Sequence, residues 1–191
     1  VLDVLDMQLV QYGSALIQRR QTFAEELGEI VHRIHSQLSG GQEEMELKYE
    51  PNVTKDAFAQ MLFANRERDM RLKTTATGPH RDDISFVVNG VDIRKFGSQG
   101  QQRTAALSLK LSEIELVKRL IGDTPVLLLD DVLSELDSGR QNYLLNSIEN
   151  IQTLITCTGL DEFVNHRFSI NRIYKVTDGS VTVENKQEAD R

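Results

Sequence analysis

Cysteine is almost missing from this 191-residue chain: Cys157 stands alone, in an apolar context. A single thiol excludes an internal disulfide and suits a reducing cytosol, so a cytoplasmic setting is expected. No apolar run reaches membrane-spanning length and no secretory leader opens the chain, so a soluble protein with no membrane partner is expected. Positive charge is also scarce: the Lys and Arg total of 22 against an Asp and Glu total of 29 gives a formal charge of -7. That balance excludes a uniformly basic surface for nucleic acid. Arg66, Arg68, Arg71 and Lys73 crowd one segment, as a local anion-binding patch or as a solvated helix face. No G-x-x-x-x-G-K-[ST] peptide occurs, so a phosphate-cradling loop of that kind is absent from these residues. The chain begins with Val1, as a fragment or a processed chain would.

What is present is organised around Pro125 to Asp137, PVLLLDDVLSELD, where the apolar run Val126 to Leu129 meets Asp130 and Asp131. A short run of this kind, bounded by Pro and by acids, predicts a strand buried on both faces in a parallel sheet covered by helices. The carboxyl end of such a strand is the ligand edge of an open α/β sheet. Two adjacent acids there call for a cation beside them. Magnesium on a nucleotide phosphate meets that need.

Upstream, Leu2, Leu5, Leu9, Leu16, Phe23, Leu27, Ile30, Ile34 and Leu38 recur at helical spacing. Such a length predicts a protruding coiled-coil-like arm, a helix bent near Tyr12-Gly13, or one side of a helical subdomain. His32 and His35 share a face with no third ligand in view, so they read as solvated or packed. Leu38-Ser39-Gly40-Gly41-Gln42 spells LSGGQ, a known phosphate-contacting peptide. Here it closes a helix instead of opening one, and it is followed by Glu43, Glu44 and Glu46, so it reads as a helix stop. Met45 to Tyr49 alternates like a strand, and Thr54 caps a helix to about Leu72 with Ala57, Phe58, Met61 and Leu62 inward. Asn89-Gly90 predicts a hairpin between Ile84–Val88 and Val91–Phe96. Ser98 then opens a long helix to Ile121, with Ala106, Leu109, Ile114, Val117 and Leu120 at helical spacing, and Gly122 ends it. After the acids, Asp137 or Ser138 caps a helix to Glu149. Thr153 to Thr158 forms a second parallel strand, a hairpin turns at Asp178-Gly179, and Lys186 to Arg191 reads as a disordered tail.

Taken in order, Gly78-Pro79-His80-Arg81-Asp82-Asp83, Ser98-Gln99-Gly100-Gln101-Gln102-Arg103 and LLLDDVLSELD resemble the C-terminal half of the ABC-type ATPases of DNA repair, the class of the SMC and Rad50 proteins. Within that class the set is similar to the RecF family of bacterial recombination mediators. The resemblance implies an α/β fold, parallel strands with covering helices plus hairpins. Residues 1–75 would be the end of an inserted helical lobe and residues 76–191 the C-terminal part of the ATPase lobe.

Carried over residue by residue, the resemblance makes Asp130 the acid that holds Mg²⁺, through water, since Mg²⁺ takes few protein carboxylates. Asp131 stands where many relatives have a Glu that orients or deprotonates the attacking water; being one methylene shorter, it implies slow hydrolysis. Ser98, Gln99, Gly100, Gln101 and Gln102 correspond to the signature peptide, which meets the nucleotide of the other subunit, although Gln99 replaces a usual glycine. Asp137 corresponds to an acid at the dimer interface. Many ABC ATPases carry a His after the last parallel strand; here Thr158 either supplies a hydroxyl or merely ends the strand. For the GPHRDD peptide, either Arg81 reaches a phosphate or DNA with His80 beside it, or Pro79 and the acids form an ion-paired turn.

The family's cofactors are ATP and Mg²⁺. Its partners are single- and double-stranded DNA, a second copy, RecR, RecO and RecA, in recombinational repair at gaps and the SOS response. The phosphate loop is expected in a missing N-terminal part, so the full-length protein is expected to be a slow ATPase and this chain alone inactive. The alternatives are a binding and dimerisation module without catalysis, or another chromosome-maintenance ATPase of the SMC or Rad50 kind with a much longer coiled coil.

Overall fold

A computed structural model describes residues 1–158 and 170–184; the tail from Lys186 to Arg191 lies outside them. The chain forms two compact units, residues 1–124 and residues from Pro125 onward. The change of sequence pattern near residue 75 falls inside the first.

In the first unit, helix α1 (Leu2–Leu38) runs unbroken for 37 residues, about 55 Å at 1.5 Å per residue. Its C-terminal half buries Leu27, Ile30, Val31, Ile34 and Leu38 and packs on strand β1 (Met45–Glu50) and helix α4 (Gln99–Ile121). The N-terminal half departs from the apolar stripe: Leu2, Leu5, Leu9 and Leu16 are exposed, as is Phe23 just beyond it, whereas Gly13 and Ile17 face helix α2 (Phe58–Leu72). Gly13 does not bend α1. It admits the Phe58 ring, whose Cε1 would lie 2.4 Å from a β-carbon at that position. Phe58 and Leu62 are buried as expected, but Met61 is exposed. Arg66 is held by Asp3 at 2.6 Å and by Asp6, so one member of the basic cluster is neutralised by α1.

Strand β1 pairs antiparallel with β2 (Asp83–Val88), which turns through Asn89 (φ 48°) and Gly90 (φ 83°) into β3 (Val91–Asp92). Both turn residues take the left-handed conformation that an Asn-Gly hairpin favours. The expected second strand to Phe96 is cut short: the Asp92 carboxylate accepts the Arg94 N–H at 3.0 Å and starts a one-turn helix, α3 (Ile93–Phe96). Helix α4 ends at Gly122. Of its expected apolar positions Ile114 is buried and Ala106 and Leu120 are exposed, and the inward face carries Thr104, Ser108 and Ser112 beside Ala105, Leu107, Leu111 and Leu116. Their hydroxyls donate to the carbonyls of Gly100, Thr104 and Ser108 at 2.7, 2.7 and 2.6 Å. That internal satisfaction is what lets them be buried.

In the second unit, β4 (Leu127–Asp130) and β5 (Thr153–Thr156) pair in parallel, with helix α5 (Ser138–Ser147) between them in sequence. Leu129, Leu144, Leu145 and Ile148 are buried. Burial on both faces, expected for β4, does not hold for this chain: Leu128 and its partner Leu154 are 72% and 56% exposed. Residues Ile173–Thr177 (β6) and Ser180–Glu184 (β7) form the final hairpin.

Candidate functional site

Ser98 caps α4 with a reciprocal pair of bonds. Its hydroxyl oxygen accepts the Gln101 N–H at 3.2 Å, and the Gln101 side-chain carbonyl accepts the Ser98 N–H at 3.0 Å. This capping box follows from Ser followed three residues later by Gln. The Ser98 hydroxyl proton and the Gln99 and Gly100 N–H groups, which find no acceptor among the described residues, remain at an exposed helix N-terminus. Such groups suit an anionic oxygen. Gln102 ties the same turn to α3 by donating to the Ile93 carbonyl at 2.9 Å. Gly97 is required where the chain passes α3, because a β-carbon there would lie 2.6 Å from the Ile93 oxygen.

In the GPHRDD peptide the two acids are structural. The Asp82 side chain, 2% exposed, accepts from Arg20 at 2.9 Å, from the Tyr49 hydroxyl, and from the Asn52 N–H at 3.0 Å. Asp83 accepts from the Ile84 N–H at 2.8 Å and, through both oxygens, from Arg94 at 3.0 Å, and these two donors hold its carboxyl below the usual range. His80 donates through Nε2 to the Thr75 carbonyl at 2.8 Å, while Arg81 is exposed.

Burial, reinforced by the Asp82 carboxylate, pushes the Tyr49 phenol up to about 12 from 10.0. The neutral phenol is therefore the form the fold favours. Its contribution to stability is complete below the unfolded value of 10.0 and is lost as pH rises through about 12. The phenolate absorbance missing from Tyr49→Phe relative to the parent is expected to appear near pH 12; a midpoint near 10 would contradict the buried Tyr49–Asp82 contact.

In the second unit, the acids sit where β4 ends. Asp130 accepts from the Thr156 hydroxyl, across the parallel register from its own Cα partner. The Asp131 N–H donates to the Thr156 carbonyl at 3.2 Å and lies 3.1 Å from the same hydroxyl oxygen. Asp131 has φ 51°, a left-handed conformation that Asp tolerates better than most residues. The Ser134 hydroxyl donates to the Asp131 carbonyl at 2.9 Å and holds the following turn. Both acids are exposed. Thr156, which no sequence signal singled out, is thus the hydroxyl at the acid pair, and only the pairing of β4 with β5 reveals it. Thr158 is exposed two residues beyond β5. Asp137 caps α5, accepting the Arg140 N–H at 3.1 Å and pairing with that guanidinium at 3.0 Å.

No third His, Cys, Asp or Glu joins the acid pair in a metal-binding group among the described residues. Two exposed carboxylates without further protein ligands fit an ion that keeps most of its water, as Mg²⁺ does. His32 is exposed and donates to the Met45 carbonyl at 3.2 Å, whereas His35 is buried between Ser108 and Glu43.

No protein-family model matches the chain. It is 59% identical over 184 residues to DNA replication and repair protein RecF of Lachnospira eligens, covering 96% of this chain and 51% of that protein. The protein of the same name from Agathobacter rectalis is 60% identical over 182 residues, covering 95% and 50%. That of Clostridium perfringens is 41% identical over 186 residues, covering 95% and 52%. A solved structure of the recombination mediator protein RecF with ATP superposes with a TM-score of 0.83 at 33% identity, over 96% of this chain and 52% of the other. A solved SMC ATPase structure, with a TM-score of 0.54 at 14% identity, shares the ABC-type ATPase fold alone. The chain spans about half the length of the curated relatives it matches. With its parallel β4–β5 pair, its capped α4 and this identity over nearly all its residues, the chain is similar to the RecF proteins and matches their C-terminal half.

Proposed function

We propose that the protein carrying this chain is a DNA replication and repair protein of the RecF kind. It acts in the cytoplasm as an ATP-gated dimer that binds single- and double-stranded DNA and helps load recombinase at gaps, in recombinational repair and the SOS response. RecR, RecO and RecA are its partners in this reading. The observation that carries it is identity of 59–60% to RecF proteins across nearly the whole chain, against 14% to an SMC ATPase. The SMC-type reading and the module without catalysis are correspondingly less favoured.

In this scheme residues 1–75 end the helical lobe and residues 76–191 complete the ATPase lobe. The phosphate-cradling loop belongs to the half of the family's length that this chain does not span. The exposed apolar face of β4 and β5, with Val126, Leu128 and Leu154, fits a parallel sheet that further strands and helices continue. Mg²⁺ would neutralise phosphate charge, with Asp130 holding it through water. Asp131 orients the attacking water. Ser98 and the Gln99 and Gly100 amides of one subunit face the terminal phosphate bound to the other, with Asp137 at the seam. Closure follows from ATP's higher affinity for the dimer.

The test is the affinity of full-length protein for gapped DNA with and without Mg-ATP at one fixed salt concentration, because phosphate contacts alone make affinity salt-dependent. Tightening by about tenfold or more with ATP is expected, equivalent to about 1.4 kcal/mol. An affinity indifferent to ATP would contradict the gating.

A further inference from the structure

The LSGGQ look-alike at the end of α1 lies at one end of a hydrogen-bonded chain that reaches Ser98. The Ser39, Gly40 and Gly41 N–H groups close α1 on the His35, Gln37 and Ser36 carbonyls at 2.9, 3.3 and 2.7 Å. The Ser39 hydroxyl lies 3.2 Å from the Glu43 N–H, which donates to it, and 3.3 Å from the Glu43 carbonyl. The helix stop therefore fixes the backbone of Glu43. From there the Glu43 Oε1 accepts from Gln101 Nε2 at 2.9 Å, while its Oε2 lies 3.1 Å from Nε2 of His35. His35 is fully buried, and its Nδ1 lies 3.0 Å from the Ser108 hydroxyl, whose own proton goes to the Thr104 carbonyl at 2.7 Å. With that proton committed, Ser108 accepts from His35 Nδ1. Glu43 and His35 thus share a proton between Oε2 and Nε2, and the carboxylate is held on both sides.

Gln101 is the junction. Its side-chain carbonyl holds the Ser98 N–H, its backbone N–H holds the Ser98 hydroxyl oxygen, and its amide nitrogen is held by Glu43. Without Glu43, the Gln101 amide loses its anchor outside α4 among the described residues, and its rotamer is no longer fixed from α1. We infer that Glu43, seated by His35 and Ser39, is a positioning residue for the Ser98 peptide, so that the long helix α1 sets the geometry of the nucleotide-facing turn. This inference rests on the proposed trans role of Ser98. Charge assistance makes the Glu43–Gln101 contact stronger than a neutral amide pair.

The test uses full-length protein with Glu43→Ala and Glu43→Gln. The Gln variant retains an oxygen for Gln101 and an amide that can donate to neutral His35. Two quantities are read for each: hydrogen exchange of the Ser98–Gln102 amides, and the protein concentration at half-dimerisation with ATP, with thermal melting and ATP binding as controls. Glu43→Ala is expected to speed exchange and weaken dimerisation by about tenfold each, the scale of one charge-assisted hydrogen bond, with ATP binding unchanged and Glu43→Gln falling between Glu43→Ala and the parent, because it keeps the contact without the charge. Unchanged exchange in Glu43→Ala overturns the positioning role. Faster exchange with undiminished dimerisation overturns its functional consequence. A parent that fails to dimerise with ATP overturns the proposed function instead, and the exchange comparison still upholds or overturns the positioning.

Discussion

Ser98→Arg in the full-length protein is expected to abolish ATP-dependent dimerisation while leaving ATP binding to the monomer intact. The substitution removes the oxygen that caps Gln101, at a cost of about 1 kcal/mol to the helix end, and it fills a turn that in the proposed dimer lies against a phosphate. Two further variants separate capping from phosphate contact. Ser98→Thr keeps both the cap and the hydroxyl donor, so it is expected to dimerise. Ser98→Asp keeps the cap but sets a carboxylate against the terminal phosphate. Two like charges about 4 Å apart at an effective dielectric of about 20 repel by roughly 4 kcal/mol, so dimerisation is expected to weaken by about a thousandfold. Light scattering against ATP concentration reads all three. If Ser98→Asp dimerises like the parent, the helix end is only a helix end.

Asp131→Asn is expected to lower hydrolysis by at least about a hundredfold, the lower range for a positioned general base, and to accumulate the ATP-bound dimer. The structure makes this a clean substitution. Asp131 has φ 51°, and Asn is among the few residues that adopt this conformation readily. Its backbone N–H and carbonyl, engaged by Thr156 and Ser134, are unaffected by the change. Stability should therefore be retained while the carboxylate is lost, and single-turnover hydrolysis with a thermal melt distinguishes the two. Hydrolysis at the parental rate would show that Asp131 does not orient the water.

Local chemistry made much of this legible from the sequence. Asn89-Gly90 specifies its own turn, Ser98 and Gln101 specify a capping box, and LLLDD followed by a helix and TLIT specifies a parallel pair ending in acids. What stayed hidden depends on partners distant in sequence. Thr104, Ser108 and Ser112 are polar by residue type yet fully buried, because each hydroxyl is satisfied one turn back, and counting apolar residues passes over them. Thr156 acquires its place from register with Asp130, and Glu43 from a residue 58 positions away. Leu128 reads as doubly buried, since apolar type alone does not say whether both covering layers lie within these residues.

Mixing Ser98→Arg protein with Asp131→Asn protein tests the shared site most directly. Neither is expected to turn over ATP alone, the first for want of a partner's serine and the second for want of its own acid. A dimer of one with the other joins an intact Asp130–Asp131 pair to an intact Ser98. Hydrolysis is expected to appear on mixing and to grow with the product of the two concentrations; a mixture no more active than the sum of its parts would contradict a site built from two subunits.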